Sequence, residues 1–436
     1  MDYKIFNQTS ILEKDLSYYF HNFFNGIGVN IDKKYIKQIK NNTIAFRDNF
    51  KKQDIEFLIR NYFIGINFDE KIYQNYYQAQ LQKEQNSLHL ILLPAGCACN
   101  FNCAYCYENH NDKTRFSSLH SDQIYTFLQE NKNKQIHIEY FGGEPLLNYN
   151  WIINFQEKIQ NIKHSASMTT NAYLLTKDKF KNLIDRNIKT FQITIDGIKE
   201  THDKLRPLIN KQGTYETIIN NLKKISKLQD NFNIILRCNF NKNNSGNKLR
   251  EHFFKNISFL KNDFRFSLIF RAIGLYSSAN NSITKENLAV YYNDEDNTKH
   301  TWEMQALESG FLLGDISLYT QIGGMICYAS KASNYTINPD MKVLKCTIAL
   351  DQDYNHFGNL NNGLRLDKNK VENWEENIKF SKICEKCFFF FQCMGKACVL
   401  KNFINKRKIC PIKPKDEKLI IEKIIKQKEL LKKKLV

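Results

Sequence analysis

The stretch CACNFNCAYCYENH, Cys97 to His110, places four cysteines within ten residues. Three of them, Cys99, Cys103 and Cys106, follow the spacing C-x3-C-x2-C, with Tyr105 just before the last and Cys97 outside the pattern. Three thiolates on one short loop can hold three irons of a four-iron, four-sulfur (4Fe–4S) cluster and leave the fourth iron open to a ligand, whereas structural zinc takes four closed ligands. A zinc site that borrows a distant fourth ligand is the competing reading. Further on, YFGGEPLL (Tyr140 to Leu147) supplies two glycines that let backbone approach a ligand closely, and Glu144, which can accept from an ammonium group. Seven more cysteines follow at Cys327, Cys346, Cys384, Cys387, Cys393, Cys398 and Cys410, four of them in the run C-x2-C-x5-C-x4-C. Such knuckles bind metal, zinc commonly. Cys238 lies inside an apolar strand and reads as core.

To meet at one site these residues need a rigid frame. From Leu88 onward the β-rich runs LHLILL, IHIEYF, SASMTTN, TFQITID, NIILRCNF and FRFSLIF alternate with helix-length segments. That rhythm predicts six parallel βα units and an α/β fold, a partial (β/α)6 barrel of the TIM type. Barrels carry their chemistry at the C-terminal ends of the strands. The cysteine loop follows the first strand, the Gly-Gly-Glu follows the second, and the third and fourth end in the polar runs TTNAYLL and TIDGIKETHDKLRP. The expected organisation is a small N-terminal module over 1–85, with helical patterning around Gln53 to Ile64, and the barrel over 86–275. A connecting segment over 276–326, a cysteine-rich domain over 327–411 and a basic helix over 412–436 complete it. That last helix gathers Leu419, Ile420, Ile424, Ile425 and Leu430 on one face and reads as a solvated helix capping the domain.

Composition narrows the class. With 42% hydrophobic and 13% aromatic residues, the 436-residue chain is far from the composition of disordered proteins. No apolar run reaches the roughly 18 residues that cross a bilayer. The start MDYKIFNQTSILEKD has no basic segment followed by an apolar one, so a cytoplasmic location is expected. In a reducing compartment the 12 cysteines are metal ligands or catalytic thiols rather than disulfides. The formal charge of +18 fits nucleic acid, a membrane surface or an acidic peptide. A zinc-dependent nucleic-acid binder would leave the barrel rhythm and the Gly-Gly-Glu turn without a purpose.

The cysteine loop resembles the signature C-x3-C-x-aromatic-C of the radical S-adenosylmethionine (SAM) superfamily, with Tyr105 in the aromatic place. The resemblance implies that Cys99, Cys103 and Cys106 hold a SAM-binding 4Fe–4S cluster. Gly142, Gly143 and Glu144 stand for the family's GGE motif, which meets the SAM amino group. Asn171 stands where the family often has Thr-Asn-Gly, with Ala172 replacing the glycine. Thr194 takes the place of a SAM-carboxylate contact, and Arg206, twelve residues later, matches the arginine that meets the same carboxylate. Leu268 is placed at the adenine pocket. For Asp196 and His202 polar packing and a site role both stay open, and no residue is assigned to catalysis itself.

The second cysteine group resembles the SPASM extension of radical SAM enzymes that modify peptides and proteins, which binds two auxiliary clusters. By position, Cys327, Cys346 and Cys398 hold the first and Cys384, Cys387, Cys393 and Cys410 the second. The first set leaves a fourth, non-cysteine ligand or an open iron. The family interval before Cys398 is usually one residue shorter, and INPDMKVLKC has Met341 where the family hairpin has glycine. The resemblance therefore implies three 4Fe–4S clusters, SAM, a reductant such as flavodoxin or ferredoxin, and a precursor peptide as partner, with no membrane and no nucleic acid. Sulfatase maturases of this family carry a basic Asp directly after the cysteine matched by Cys346; here the residue is Thr347. Without that proton acceptor the expected reaction is a crosslink, carbon–carbon, ether or thioether, in a ribosomally made peptide. The alternative is formylglycine formation or another protein modification. Residues 1–85 then either bind a leader peptide by strand addition or form a helical cap.

Overall fold

The computed structural model describes residues 2–69, 71–110, 113–274, 295–376, 382–396, 398–406, 409–410 and 416–435. They divide into two compact units, one of 1–84, 315–331 and 373–425, the other of 85–314, 332–372 and 426–436.

In the first unit the helical patterning expected around Gln53 to Ile64 forms a helix, Lys52–Arg60, and much of the chain before it is strand. The strands β1 (Asp2–Ile5), β2 (Thr9–Glu13), β3 (Ser17–Asn22), β4 (Gly28–Asp32), β5 (Ile36–Lys40), β6 (Thr43–Phe46) and β7 (Ile64–Gly65) form two antiparallel sheets, in the orders β5-β6-β1-β7 and β2-β3-β4. Ile5, Phe20, Ile31, Ile36 and Ile44 pack between them, with Leu58 from helix α1 (Lys52–Arg60). The helix ends where Tyr62 turns to a φ of 58°, a left-handed conformation a helix cannot continue through. A helical cap is thus not what residues 1–85 form. Phe390 and Phe391 of the run CFFFFQC are buried in the same unit against Phe6, Phe24 and Tyr73, the last from helix α2 (Lys71–Gln85). Each such phenylalanine is worth about 1.5–3 kcal/mol of burial.

The second unit contains all six expected strands. They are β8 (Ser87–Leu92), β9 (Gln135–Tyr140), β10 (His164–Thr170), β11 (Ile188–Thr194), β12 (Asn233–Phe240) and β13 (Phe266–Ala272), parallel and in sequence order across the sheet. The helices between them include α3 (Ser118–Glu130), α4 (Tyr149–Lys158), α5 (Lys177–Asp185), α6 (Lys199–Leu205) and α7 (Tyr215–Ile225). Among the described residues these strands do not close into a full barrel. At its other edge β8 continues in parallel to β14 (Asn334–Ile337), and from there antiparallel to β15 (Lys342–Leu344), β16 (His356–Asn359) and β17 (Arg365–Leu366). Residues 332–372 therefore belong to the barrel sheet, and the expected 327–411 domain is divided between the units. Much of the expected connector, 275–294, lies outside the described residues.

Alternation along the strands makes one face apolar and the other polar. Ile138, Met168, Phe191, Leu236 and Leu268 lie on the buried outer face, in register from strand to strand or one step apart. The intervening positions Thr169, Gln192, Thr194, Arg237 and Asn239 line a cavity at the C-terminal strand ends. A concave face with a few convergent polar groups of this kind is where ligand sites are commonly built.

Candidate cofactor and cluster site

Cys99, Cys103 and Cys106 line this cavity. The loop that carries them is pinned at both ends. Gly143 N–H donates to Gly96 C=O at 3.2 Å and Glu144 N–H to Ala98 C=O at 2.9 Å, while Asn102 and Ala104 N–H each donate at 2.8 Å to Pro207 and Leu205 C=O. The glycine pair is required by this loop. A Cβ on Gly142, whose φ is 112°, would stand 2.4 Å from Gly96 O, and one on Gly143 would stand 2.3 Å from Ala98 O. The close approach read from the motif is thus made first of all by the cysteine loop's own backbone.

Glu144 is fully buried behind that turn. Its carboxylate accepts from Leu146 N–H at 3.0 Å, Thr170 Oγ1 at 2.7 Å and Asn171 N–H at 2.7 Å, and it is not among the cavity-lining residues. It ties the end of β9 to the end of β10. Asn171 itself lines the cavity and donates through Nδ2 to Asn100 Oδ1 at 2.8 Å, within the cysteine loop.

The aromatic of the signature has a second function. The Tyr105 hydroxyl donates to Asp196 Oδ2 and accepts from Arg206 Nη1 at 2.8 Å and Asn239 Nδ2 at 2.9 Å. Asp196 Oδ1 accepts from Asn239 N–H at 2.8 Å. Asp196 is therefore part of the site's framework. His202 is polar packing behind it: fully buried, Nδ1 facing Asp196 N–H at 3.1 Å and Nε2 facing Thr214 Oγ1 at 3.1 Å. Burial holds this imidazole well below its usual pKa, hence neutral. Asn239 was not singled out from sequence. Its signal was present in NIILRCNF, where Arg237 and Asn239 are polar at alternate places of an apolar strand.

Arg206 carries the fit to a bound cofactor. Its guanidinium lines the cavity, and Nε is buried without a hydrogen-bond partner. A buried donor left unpaired costs about 1–3 kcal/mol, which an anionic group such as a carboxylate would recover. Thr194 lines the same wall. Leu268 does not. It stands in register with Leu236 on the outer face, and the cavity side of β13 presents Ile269 and Arg271, paired with Arg237 and Asn239.

Burial pushes the Cys106 thiol up to about 12 and raises the Cys99 and Cys103 thiols as well. Metal binding then has to displace their protons. Among the described residues no three Cys, His, Asp or Glu side chains converge on one point as a single-ion site requires. Thiolates that each hold a different iron need not converge. On the same wall, burial and the Asp351 charge push the Glu108 carboxyl up to about 8.

In the other unit burial raises the pKa values of Cys387 and Cys393, and the neighbouring Cys384 and Cys410 add to both shifts. Gln8 holds their knuckle, its Nε2 donating to Glu385 C=O at 2.9 Å and Cys387 C=O at 3.0 Å. Cys327 and Cys398 are in this unit too, with Cys327 N–H bonded to Lys396 C=O at 3.1 Å. Cys346 is in the barrel unit, its N–H donating to buried Asn355 Oδ1 at 2.9 Å. Cys97 lines a second cavity, and Cys238 is core, 1% exposed.

Residues 93–243 match the family model of the radical SAM superfamily. The cysteine-type anaerobic sulfatase-maturating enzyme of Clostridium novyi is 31% identical over 193 residues, 41% of this chain and 50% of that one. The chain spans about half the length of the first curated relatives it matches. The solved structure of anSMEcpe with bound AdoMet and Cp18Cys peptide covers 80% of this chain and 99% of its own, at 20% identity and a TM-score of 0.59. Streptococcus suis SuiB bound to precursor peptide SuiA covers 91% and 96%, at 16% identity and a TM-score of 0.53. At those identities the likeness is one of fold, which is a radical SAM partial barrel with a cysteine-rich extension. With the pinned thiol loop at the barrel end and the family match over the strands that build it, residues 93–243 form a radical SAM domain, and most of the chain shares the fold of anSMEcpe and SuiB.

Proposed function

We propose that this protein is a peptide maturase that installs a crosslink in a ribosomally made precursor. The observation that carries the reading is Thr347. It sits 6% exposed directly after Cys346, where the related sulfatase maturases have a carboxylate, so the proton acceptor their oxidation needs is missing from that place. The likeness to SuiB, solved with a precursor peptide, supports the same substrate class.

Cys99, Cys103 and Cys106 would hold the SAM-binding cluster, with Arg206, Thr194 and Asn171 of the same cavity for the amino-acid end of SAM. When bound and reduced, that pair supplies a 5'-deoxyadenosyl radical able to take hydrogen from an unactivated carbon. The Tyr105–Asp196–Asn239 network keeps Arg206 pointed at its ligand, and the pinned loop holds the thiols in place. Cys384, Cys387, Cys393 and Cys410 would hold an auxiliary cluster. The edge strands β2 and β4 of the N-terminal sheet offer unpaired backbone to a leader peptide, by strand addition. A reductant such as flavodoxin or ferredoxin would supply electrons.

A second reading, sulfatase maturation, is favoured by the 31% identity to the Clostridium novyi enzyme. Anaerobic co-expression with a short precursor encoded beside the gene separates the two. The crosslink reading expects a peptide lighter by two hydrogens per bond, located by tandem mass spectrometry. An unchanged precursor, together with conversion of a sulfatase-type cysteine to an aldehyde trapped by hydrazine, would overturn it.

A further inference from the structure

With Thr347 in place of a carboxylate, a proton released by the reaction needs another acceptor, and the inner face of the barrel sheet carries one. Barrels of the TIM type fill their interior with branched apolar side chains. Here six inward positions of β8, β9 and β10 are polar instead: His89, His137, Glu139, Ser165, Ser167 and Thr169. Register sets them in rows, His89 beside His137 and Ser165, then Glu139 beside Ser167. Thr169 lines the cofactor cavity, and the others follow it toward the N-terminal ends of the strands.

These side chains are in contact along the barrel axis. Thr169 Oγ1 donates to Glu139 Oε1 at 3.3 Å, and the other carboxylate oxygen, Oε2, stands 3.4 Å from His89 Nε2. The His89 ring lies 5.1 Å from that of His137, whose Nδ1 and Nε2 face Ser165 Oγ at 2.8 Å and Ser167 Oγ at 2.9 Å. Ser165 is exposed, and the side chains of His89 and Glu139 are 22% and 25% exposed. One end of the group therefore meets the cavity and the other meets solvent. A hydroxyl can give a proton on one side as it takes one on the other, a carboxylate can hold that proton, and an imidazole can exchange it near neutral pH.

We propose that Glu139 takes up, through the Thr169 hydroxyl, the proton that the peptide loses in the cavity, and that His89 hands it on to solvent. The proposal rests on the maturase reading and deepens it. In an ether or thioether crosslink the 5'-deoxyadenosyl radical removes one hydrogen atom from carbon. The peptide's hydroxyl or thiol loses a proton, its oxygen or sulfur bonds to that carbon, and one electron leaves to a one-electron acceptor of the iron–sulfur class. The two hydrogens lost are thus one in 5'-deoxyadenosine and one proton. Thr169 Oγ1 receives the proton as it gives its own to Glu139 Oε1, so Glu139 acts without touching the peptide. Oxidation of a cysteine to a thioaldehyde releases a thiol proton in the same way and makes the same demand.

The test uses the full-length, cluster-loaded protein with SAM, dithionite and the precursor encoded beside the gene, and it counts crosslinks formed per 5'-deoxyadenosine. Glu139→Gln keeps the shape and removes the acceptor, and it should lower that ratio about 100-fold. Glu139→Asp should bring the ratio back to within about 10-fold of the wild type, and His89→Asn should lower it about 10-fold. A residue that only held the barrel together would lower both products alike; an unchanged ratio in Glu139→Gln overturns the proposal. Neutron diffraction from wild-type crystals grown in heavy water decides the matter if the variants do not fold. It should place the Thr169 deuteron on the Glu139 side and another between Glu139 and His89, and a Thr169 deuteron aimed elsewhere overturns the relay without any assay of turnover. A wild type that converts a sulfatase-type cysteine instead of the precursor overturns the crosslink reading, and aldehyde per 5'-deoxyadenosine then tests the relay in the same variants. A wild type that cleaves SAM and converts neither overturns the maturase reading and the relay with it.

Discussion

The two gathered groups of thiols are built by opposite means. Cys99, Cys103 and Cys106 stand on an irregular loop fixed by backbone hydrogen bonds to the strand ends, and around them lie polar groups with capacity to spare, Arg206 Nε and Glu108 Oε2. Cys384 stands in a 3-10 helix (Lys382–Lys386), Cys387 on the bend after it and Cys393 at the end of a short helix (Phe390–Cys393), among phenylalanines of which Phe390 and Phe391 are at most 1% exposed. Their knuckle carbonyls are already satisfied by Gln8. Three thiols beside unpaired donors and acceptors make a site that still needs a ligand. Four thiols in an apolar, hydrogen-bonded setting make one that is complete once its metal is bound.

Removing one thiol from each group is the strongest way to break this contrast. Cys103→Ala and Cys387→Ala should each lower the iron of the reconstituted protein by about four per chain. Only Cys103→Ala should abolish reductive SAM cleavage, while Cys387→Ala should keep peptide-free cleavage within about 10-fold of the wild type, the scale of an outer-shell effect. Iron analysis and chromatography of 5'-deoxyadenosine under dithionite read both. If Cys387→Ala abolished cleavage as well, the second group would not be the self-contained site its surroundings describe.

Arg206 sharpens the contrast from the polar side. Lysine keeps the charge and loses the planar fork, so Arg206→Lys should leave Tyr105 OH and the bound carboxylate imperfectly paired, at a cost of about 2–3 kcal/mol. That corresponds to about 100-fold in the KM for SAM, with iron content unchanged. Tyr105→Phe, which removes the relay but not the guanidinium, should cost about 10-fold. An unchanged KM in both variants would move SAM out of this cavity.

What could be read from sequence follows from how local each requirement is. The thiol spacing was legible because one short loop must present all three ligands. The six barrel strands were legible because each is long and flanked by a helix-length segment. Asn239 was not, since its role appears only when register brings β12 beside β11. The N-terminal strands were missed because they are short and not cleanly alternating; β3, for example, buries its last four residues in succession. Two departures from the family's glycines proved informative: Ala172 and Met341 hold φ of 61° and 58°. The family's choice of glycine there reflects left-handed backbone, and both positions keep the conformation without it.

The smallest of these effects concerns the other half of the comparison. Gln8 is fully buried, donates to both Glu385 and Cys387 C=O, and accepts through Oε1 from the Tyr73 hydroxyl at 3.2 Å. Gln8→Leu preserves most of the volume and leaves these groups unpaired, which should cost the first unit about 1–3 kcal/mol. The loss should appear locally, as faster release of iron to a chelator and faster amide exchange over Cys384 to Phe390. SAM cleavage should be unaffected, since nothing in the barrel-end cavity contains Gln8. If chelator release and exchange stayed at wild-type rates, the phenylalanine packing alone would hold the knuckle, and the second site would owe its order to apolar burial rather than to one buried amide.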